Sequence, residues 1–433
     1  MRLDFAFGKT GLPLELPDGF NYVTLEARSA APLNDVLRAL DHALDNPIGC
    51  PSLLSLAKNR SSAAISVCDI TRPAPNRLTL PPILECLASA GIPENNTRIL
   101  IATGLHRPAT PGELVEILGP RIASSYPVYN HDARCLAEHR FLGMTSTGTP
   151  VHIDERFVSA DLRLSLGFIE PHLMLGFSGG RKLVAPGLAA QETIKVLHSP
   201  KFMRDPLAIE GSIEHNPLHR ELLEISRMAG HSFILDVALA RGQGGGGMRP
   251  VAGVFAGDPV EAHRAGVQFV SKTLLDQLAE PVDAVITSAA GYPLDLTFYQ
   301  AIKGITAAQH ILKPGGKILV VAECSEGAGA DEFAHMLTAF ETYDGFLNAI
   351  RDTDVVVDQW QLEKLALAGL RHEILFYVPG LPARYRKHFE GLMFDSPQGA
   401  VSGLMRRLRK AATVALIPEG PYVLARVLDA RAA

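Results

Sequence analysis

Two histidines in this chain, His106 in "ATGLHRP" (102–108) and His172 in "EPHLMLGFSGGRK" (170–182), each follow a short apolar run. Neutral imidazole gives or takes a proton near pH 7, so such a pair suits acid–base work on two faces of one substrate. Either histidine alone is equally well explained as a hydrogen-bonded loop residue. Asp69 and Arg72 in "CDITRPAPN" (68–76) suit a structural ion pair. They also suit a guanidinium that grips a substrate carboxylate in a planar, two-pronged way.

The segment "GFSGGRKL" (176–183) has the outline of a phosphate loop without its signature. A P-loop places four residues between its glycines and a hydroxyl residue after its lysine; here Leu183 follows Lys182. Ser178, Gly179 and Gly180 are still expected to offer backbone N–H groups to a phosphate, with Arg181 or Lys182 adding charge. A tight turn with a solvated basic pair is the plainer reading. His198 comes sixteen residues after Lys182, with no HxH, HxxxH or carboxylate cluster beside it. A catalytic metal normally takes three protein ligands, so a metal held by His198 would need donors from outside the polypeptide. Gln300 and Lys303 are spaced i, i+3 and share a face if that stretch is helical, as a solvated helix face also would. The "GQGGGG" at 242–247 matches G-x-G-x-x-G only in its letters. The fingerprint needs a helix to open at its third glycine, and "MRPVAGVFAG" reads as a strand. A flexible hairpin is expected there.

The elements that must position these residues alternate between strand and helix. Apolar runs at 63–69, 98–103, 161–168 and 232–240 read as strands. Helical patterns lie near 80–90, 111–119, 190–198 and 217–229. The alternation restarts beyond about residue 270 with "VDAVITSAA", the helical "TFYQAIKGITAAQHIL" ended by "KPGG", and the strands "KILVVAE", "HEILFYVPG" and "TVALIPEG". The fold class expected is α/β, with two α/β domains carrying mainly parallel or mixed sheets. They are placed at 1–272 and 273–433. In open sheets ligands bind beyond the carboxyl ends of strands, where the polar clusters at 69–76, 102–108, 170–182 and 291–300 fall.

Composition narrows the function classes. The 433 residues carry 41 Lys and Arg against 46 Asp and Glu, a net charge of -5. Nothing electrostatic points to nucleic acid or an anionic membrane. No apolar run is long enough to span a bilayer, and the first residues lack the pattern of a signal peptide. Five scattered cysteines without a CxxC argue against a disulfide framework or zinc ribbon and for a reducing cytoplasm.

Taken together, "DITRPAP" (69–75), "GLHRP" (104–108), "EPHLMLGFSGGRKLVAPG" (170–187), the "ETIKVLH" ending at His198, "FYQAIK" (298–303) and "DQWQ" (358–361) resemble the nickel-dependent lactate racemase family. The resemblance runs over almost the whole chain and in the family's order. It implies a nickel pincer nucleotide, a modified pyridinium mononucleotide whose ring carbon and two sulfurs bind Ni(II). Lys182 matches the lysine that tethers it, and His198 the one histidine that completes a square-planar site. Ser178, Gly179, Gly180 and Arg181 match the loop beside the cofactor, and Asp69 is grouped with them, as a residue that orients Arg72 or a base. His106 and His172 match the two bases. Arg72, Tyr299, Gln300, Lys303 and Trp360 match residues around the substrate, with Phe298 a further candidate for an apolar wall.

The resemblance also implies an active site in the cleft between the domains and a hydride relay. Hydride leaves C2 of a 2-hydroxy acid while a histidine takes the hydroxyl proton, then returns to the other face of a 2-keto acid. Removing a C2 proton instead would require strong enolate stabilisation, for which no carboxylate cluster is visible. The implied partners are a small 2-hydroxy acid and the proteins that make the cofactor, without nucleic acid or membrane. Two rivals remain at this point. An NAD-dependent hydroxy acid dehydrogenase needs a true dinucleotide fingerprint, and a non-catalytic nickel-nucleotide carrier needs no paired bases.

Overall fold

Ala63–Cys68 is buried at all six positions, and Leu162–Phe168 and Phe233–Leu239 are nearly so. Such continuous apolar runs fit strands covered on both faces, as in parallel sheets. The computed structural model, which describes residues 1–26, 28–241, 249–389 and 391–428, builds them into two compact units.

The first unit comprises Ser29–Leu197 and Leu207–Thr273. Its six-stranded sheet runs in the order Val251–Gly257, Phe233–Leu239, Leu162–Phe168, Ala63–Cys68, Thr97–Ala102, Val128–Asn130. All pairings are parallel except the edge strand Val251–Gly257, which is antiparallel. From Ala63–Cys68 the chain builds outward to Thr97–Ala102 and Val128–Asn130, then returns to the other side with Leu162–Phe168. The order therefore reverses at Ala63–Cys68, and a crevice at the carboxyl ends of strands flanking such a switch is where open sheets bind ligands. The core holds Ile65, Val67, Ile99, Leu164, Leu166 and Leu235 among others, under the helix Asn76–Ser89.

The second unit comprises Met1–Arg28, His198–Pro206 and Leu274–Ala433. Its five-stranded sheet is parallel throughout, in the order Glu373–Tyr377, Leu312–Val321, Val282–Ser288, Thr413–Ile417, Asn21–Thr24. Apolar clusters cover both faces, one around Phe298, Phe376 and Phe389, the other around Phe5, Leu319 and Leu416. The helix Phe298–Ala308 starts where the Thr297 side chain caps Gln300 N–H. It docks against the carboxyl end of Val282–Ser288 so closely that a Cβ on Gly304 would stand 2.3 Å from the Ser288 carbonyl, which only glycine avoids.

The linear division into 1–272 and 273–433 is corrected in two places. Asn21–Thr24 pairs with Thr413–Ile417 and takes the first segment of the chain into the second unit. Residues 198–206 join that unit as well. Among the described residues no helix is long and apolar enough to cross a membrane. The "GQGGGG" hairpin expected at 242–247 lies outside the described residues.

Candidate active site

In the first unit the segment that follows Ala63–Cys68 is tied back at once: Asn76 Nδ2 donates to the Cys68 carbonyl at 3.2 Å and Arg72 N–H to the Asp69 carbonyl at 3.2 Å. This turn holds the Asp69 carboxylate, 5% exposed, against His106 at the end of the neighbouring strand. Asp69 Oδ2 lies 2.7 Å from His106 Nδ1, and Oδ1 accepts from the Thr71 hydroxyl at 2.7 Å. Burial pushes the Asp69 carboxyl up. The hydrogen bond and charge of His106, with Arg72 and Thr71, outweigh burial and bring it below its ordinary value. A carboxylate at Nδ1 fixes that proton and leaves Nε2 as the basic nitrogen, the orienting logic of a Ser-His-Asp triad.

The loop of His106 is itself held in place. Arg107 takes Glu113 with both terminal nitrogens, and Glu113 closes a capping box with Thr110 at the start of Pro111–Leu118. Across from it, Gly104 N–H donates to the Gly187 carbonyl and Gly187 N–H to the Lys182 carbonyl, so the base loop and the lysine loop are joined. The Cys68 thiol registers how tightly they converge: burial and then Asp69 push it up to about 12, with the charges of Arg72, Asp236 and Lys182 also felt.

His172 sits in the short hairpin of Pro171–His172 with Gly176–Phe177. Its Nδ1 faces the amides of Met174 and Leu175 at 3.5 and 3.4 Å, which holds the ring in the hairpin. Next come the loop residues, and here the structure corrects two expectations. The Ser178 amide donates to the Glu170 carbonyl at 2.9 Å and its hydroxyl to the Phe168 carbonyl at 2.8 Å, while Glu170 N–H donates to that hydroxyl. Ser178 therefore staples the hairpin and has no amide to give a phosphate. Arg181 is fully buried and turned inward, donating to the carbonyls of Leu175 and Phe177 at 3.2 and 3.0 Å. Its guanidinium supports the loop from inside through its two terminal nitrogens, while Nε is buried without a hydrogen-bond partner among the described residues. Lys182, the next residue, is only half-buried.

In the second unit His198 follows the helix Gln191–Leu197 directly and packs on Trp360, ring centroids 4.3 Å apart. Trp360 Nε1–H donates to the Tyr299 hydroxyl at 3.1 Å, and Gln361 Nε2 to the Tyr299 carbonyl at 2.9 Å. Gln300 Oε1 is buried without a hydrogen-bond partner among the described residues, an acceptor set beside Tyr299. Lys303 is half-buried one turn further on. Phe298 does not line this face; it is fully buried among Phe376 and Phe389.

The residues after His198 are clamped to the helix Gln359–Gly369. Arg204 donates to Glu363 at 2.7 Å and to the Leu347 carbonyl at 2.7 Å, and Lys364 Nζ donates to the Met203 carbonyl at 2.9 Å. Sequence reasoning missed this clamp, and it missed Asp236. The signal for both was an acid inside an apolar stretch: Glu363 in "QWQLEKLALAG" and Asp236 in "FILDVAL". Among the described residues no three His, Cys, Asp or Glu side chains gather to hold a metal ion.

The lactate racemase N-terminal domain model matches residues 7–211, and the lactate racemase C-terminal domain model matches 278–425. The chain is 32% identical to a lactate racemase from Thermoanaerobacterium thermosaccharolyticum, covering 98% of this chain and 99% of that one. It is 33% identical to a lactate racemase from Lactiplantibacillus plantarum, covering 98% and 100%. Its fold matches the lactate racemase apoprotein from T. thermosaccharolyticum with a TM-score of 0.90 at 31% identity, over 98% of this chain and all of that one. A Thermotoga maritima protein shares the fold with a TM-score of 0.65 at 16% identity, over 92% of this chain. With both family models matched and identity above 30% along nearly its full length, the chain belongs to the lactate racemase family.

Proposed function

We propose that this protein is an isomerase that racemises or epimerises a lactate-like 2-hydroxy acid through a 2-keto acid. The observation that carries the reading is the Asp69–His106 pair, 2.7 Å apart at the sheet's switch point and joined through Gly104 and Gly187 to the Lys182 loop. A nickel-nucleotide carrier has no use for a carboxylate-backed base, and this favours catalysis over storage.

His106 Nε2 takes the hydroxyl proton of one enantiomer while Asp69 keeps Nδ1–H in place, and His172 serves the other enantiomer. Arg72 holds the substrate carboxylate with its planar, two-pronged guanidinium. Lys303 and the Gln300 amide meet the C2 oxygen. Tyr299 and Trp360 shape an apolar wall that suits an uncharged substrate tail.

Three features fit the nickel pincer nucleotide that the resemblance implies. Lys182 is half-buried where its neighbours on either side are buried. Gly179 adopts φ +87° in the turn just before it, a conformation that glycine takes without strain. His198 is a single imidazole held in place by its ring contact with Trp360, centroids 4.3 Å apart. Lys182 would tether the group and His198 would ligate its nickel; when bound it supplies the hydride acceptor for C2. Proteins that make the cofactor are its expected partners. The five cysteines are all free, in keeping with a cytoplasmic setting.

The test is chiral chromatography of a panel of 2-hydroxy acids with cofactor-loaded protein, using substrate deuterated at C2. Racemic product that keeps its deuterium supports the reading. Loss of the label to solvent, or an unchanged enantiomer ratio throughout, overturns it.

A further inference from the structure

The loop that presents Lys182 rests on a buried acid that the proposed chemistry does not use. Asp236, on Phe233–Leu239, is fully buried. Its neighbour in the parallel register is Gly167. Neither of its oxygens makes a hydrogen bond of ordinary geometry among the described residues, an arrangement that natural proteins rarely keep without a reason. The glycines around it are shaped to its carboxyl. A Cβ on Gly179 would lie 2.5 Å from Oδ2, and one on Gly167 would lie 2.9 Å from Oδ1. Gly179 and Gly180 also hold φ of +87° and +46°, where side chains are strained.

Arg181 is equally buried. Its Nη1 and the Ser178 carbonyl both stand 2.8 Å from His263 Nε2. A buried guanidinium needs a counter-charge, and Asp236 is the acid whose charge it feels.

We infer that Asp236 is a positioning residue for Lys182: its carboxyl supports the Gly179–Gly180 turn from beneath and balances the Arg181 guanidinium, fixing the direction in which the following lysine leaves the loop. The purpose rests on the assignment of Lys182 as the tether; the geometry does not.

Burial pushes the Asp236 carboxyl up to about 7, opposed by the Gly180 amide and Arg181. The groups around it keep their state through the neutral range. Burial holds His263 well below its ordinary value and His219, 6.2 Å from it, down to about 3. The Cys68 thiol is pushed up to about 12, and burial brings Arg181 down to about 9. Asp236 is then the buried group of this cluster that changes charge near neutrality.

The experiment uses the apoprotein, so it stands or falls independently of racemase activity. Mass spectrometry follows amide hydrogen exchange in peptides spanning 176–184 and the rate of Lys182 acetylation by acetic anhydride between about pH 6 and 9. The wild-type acetylation profile should carry a step in the neutral range besides the lysine's own ionisation. D236N, which keeps the shape and removes the charge, should lose that step and exchange the loop amides about tenfold faster, with Ala63–Cys68 unchanged. A purely structural role would alter the rates and leave the step in place. R181M offers a second reading should D236N not fold: without the guanidinium the step should move to higher pH. A step kept by D236N, unaltered loop exchange, or a step that R181M leaves unmoved would overturn the inference.

Discussion

Trp360 holds His198 by its ring and Tyr299 by its N–H: the indole centroid lies 4.3 Å from the imidazole, and Nε1 lies 3.1 Å from the tyrosine hydroxyl. One side chain thus relates the expected nickel ligand to the expected substrate wall. W360F keeps an aromatic contact and gives up the hydrogen bond, so it should cost about 1 kcal/mol of stability and retain nickel after maturation. W360A removes both and should cost about 3–5 kcal/mol, with nickel content falling. Chemical denaturation and elemental analysis read the two effects; equal nickel in both variants would count against a role in holding His198.

Asp69 should matter to rate far more than to binding. D69N removes the fixed partner of His106 Nδ1 and should lower turnover by about 10³- to 10⁴-fold, by analogy with loss of the triad aspartate, with little change in KM. Stability should respond too. The folded carboxyl lies below its ordinary value, so its contribution is present above about pH 4 and fades as pH falls through the folded value. Acid unfolding of D69N should lack that component. Turnover within about tenfold of wild type would remove Asp69 from the base.

The two histidines should fail in opposite directions. H106A and H172A should each lower racemisation by about 10²- to 10⁴-fold. In single-turnover experiments with a hydrazine trap, each should still form keto acid from one enantiomer, and the two variants should keep different ones. Loss of the same enantiomer in both variants would mean that the pair does not divide the two faces between them.

The clamp after His198 invites a stability test. Glu363 is fully buried and Arg204 is about a quarter exposed. E363Q keeps a polar acceptor and loses the charge-assisted bond, a loss of about 1–2 kcal/mol measurable by denaturation. R204M should cost a similar amount, and the double variant less than the sum. Additive costs would show that the two residues do not act as a pair.

A further pH effect lies away from the proposed site. Burial would raise the Asp154 carboxyl, but hydrogen bonds from His131 and Arg156 outweigh it and bring it to about 2. Because this folded value is below the unfolded one, Asp154 stabilises the first unit above about pH 4 by about 2 kcal/mol. That contribution should vanish between about pH 4 and 2. D154N should be less stable than wild type at neutral pH and converge with it in acid.

The strands and most helices were legible because they are written in local patterns. "AAISVCD" and "RILIAT" are buried runs, and the observed strands Ala63–Cys68 and Thr97–Ala102 fall within a residue of them. The carboxyl-end placement of Asp69 and His106 follows from those strands, and that of His172 from Leu162–Phe168. What was not legible depends on direction and on distant pairing. Arg181 and Lys182 are adjacent and both basic, yet one turns into the core and the other does not. No periodicity distinguishes them, since the deciding partners are His263 and Asp236. Ser178 likewise reads as a phosphate-loop serine until Glu170 and Phe168 claim it. The pairing of Asn21–Thr24 with Thr413–Ile417 joins opposite ends of the chain and leaves no local trace.

The excursion of residues 198–206 into the second unit sets an order of events during synthesis. Arg204 and Glu363 are 159 positions apart, and Trp360 is equally late. The ribosome therefore delivers the lysine loop with its whole sheet, whose last strand ends at Gly257, well before anything exists to seat His198. Lys182 is thus presented early, whereas His198 is seated only near the end of translation.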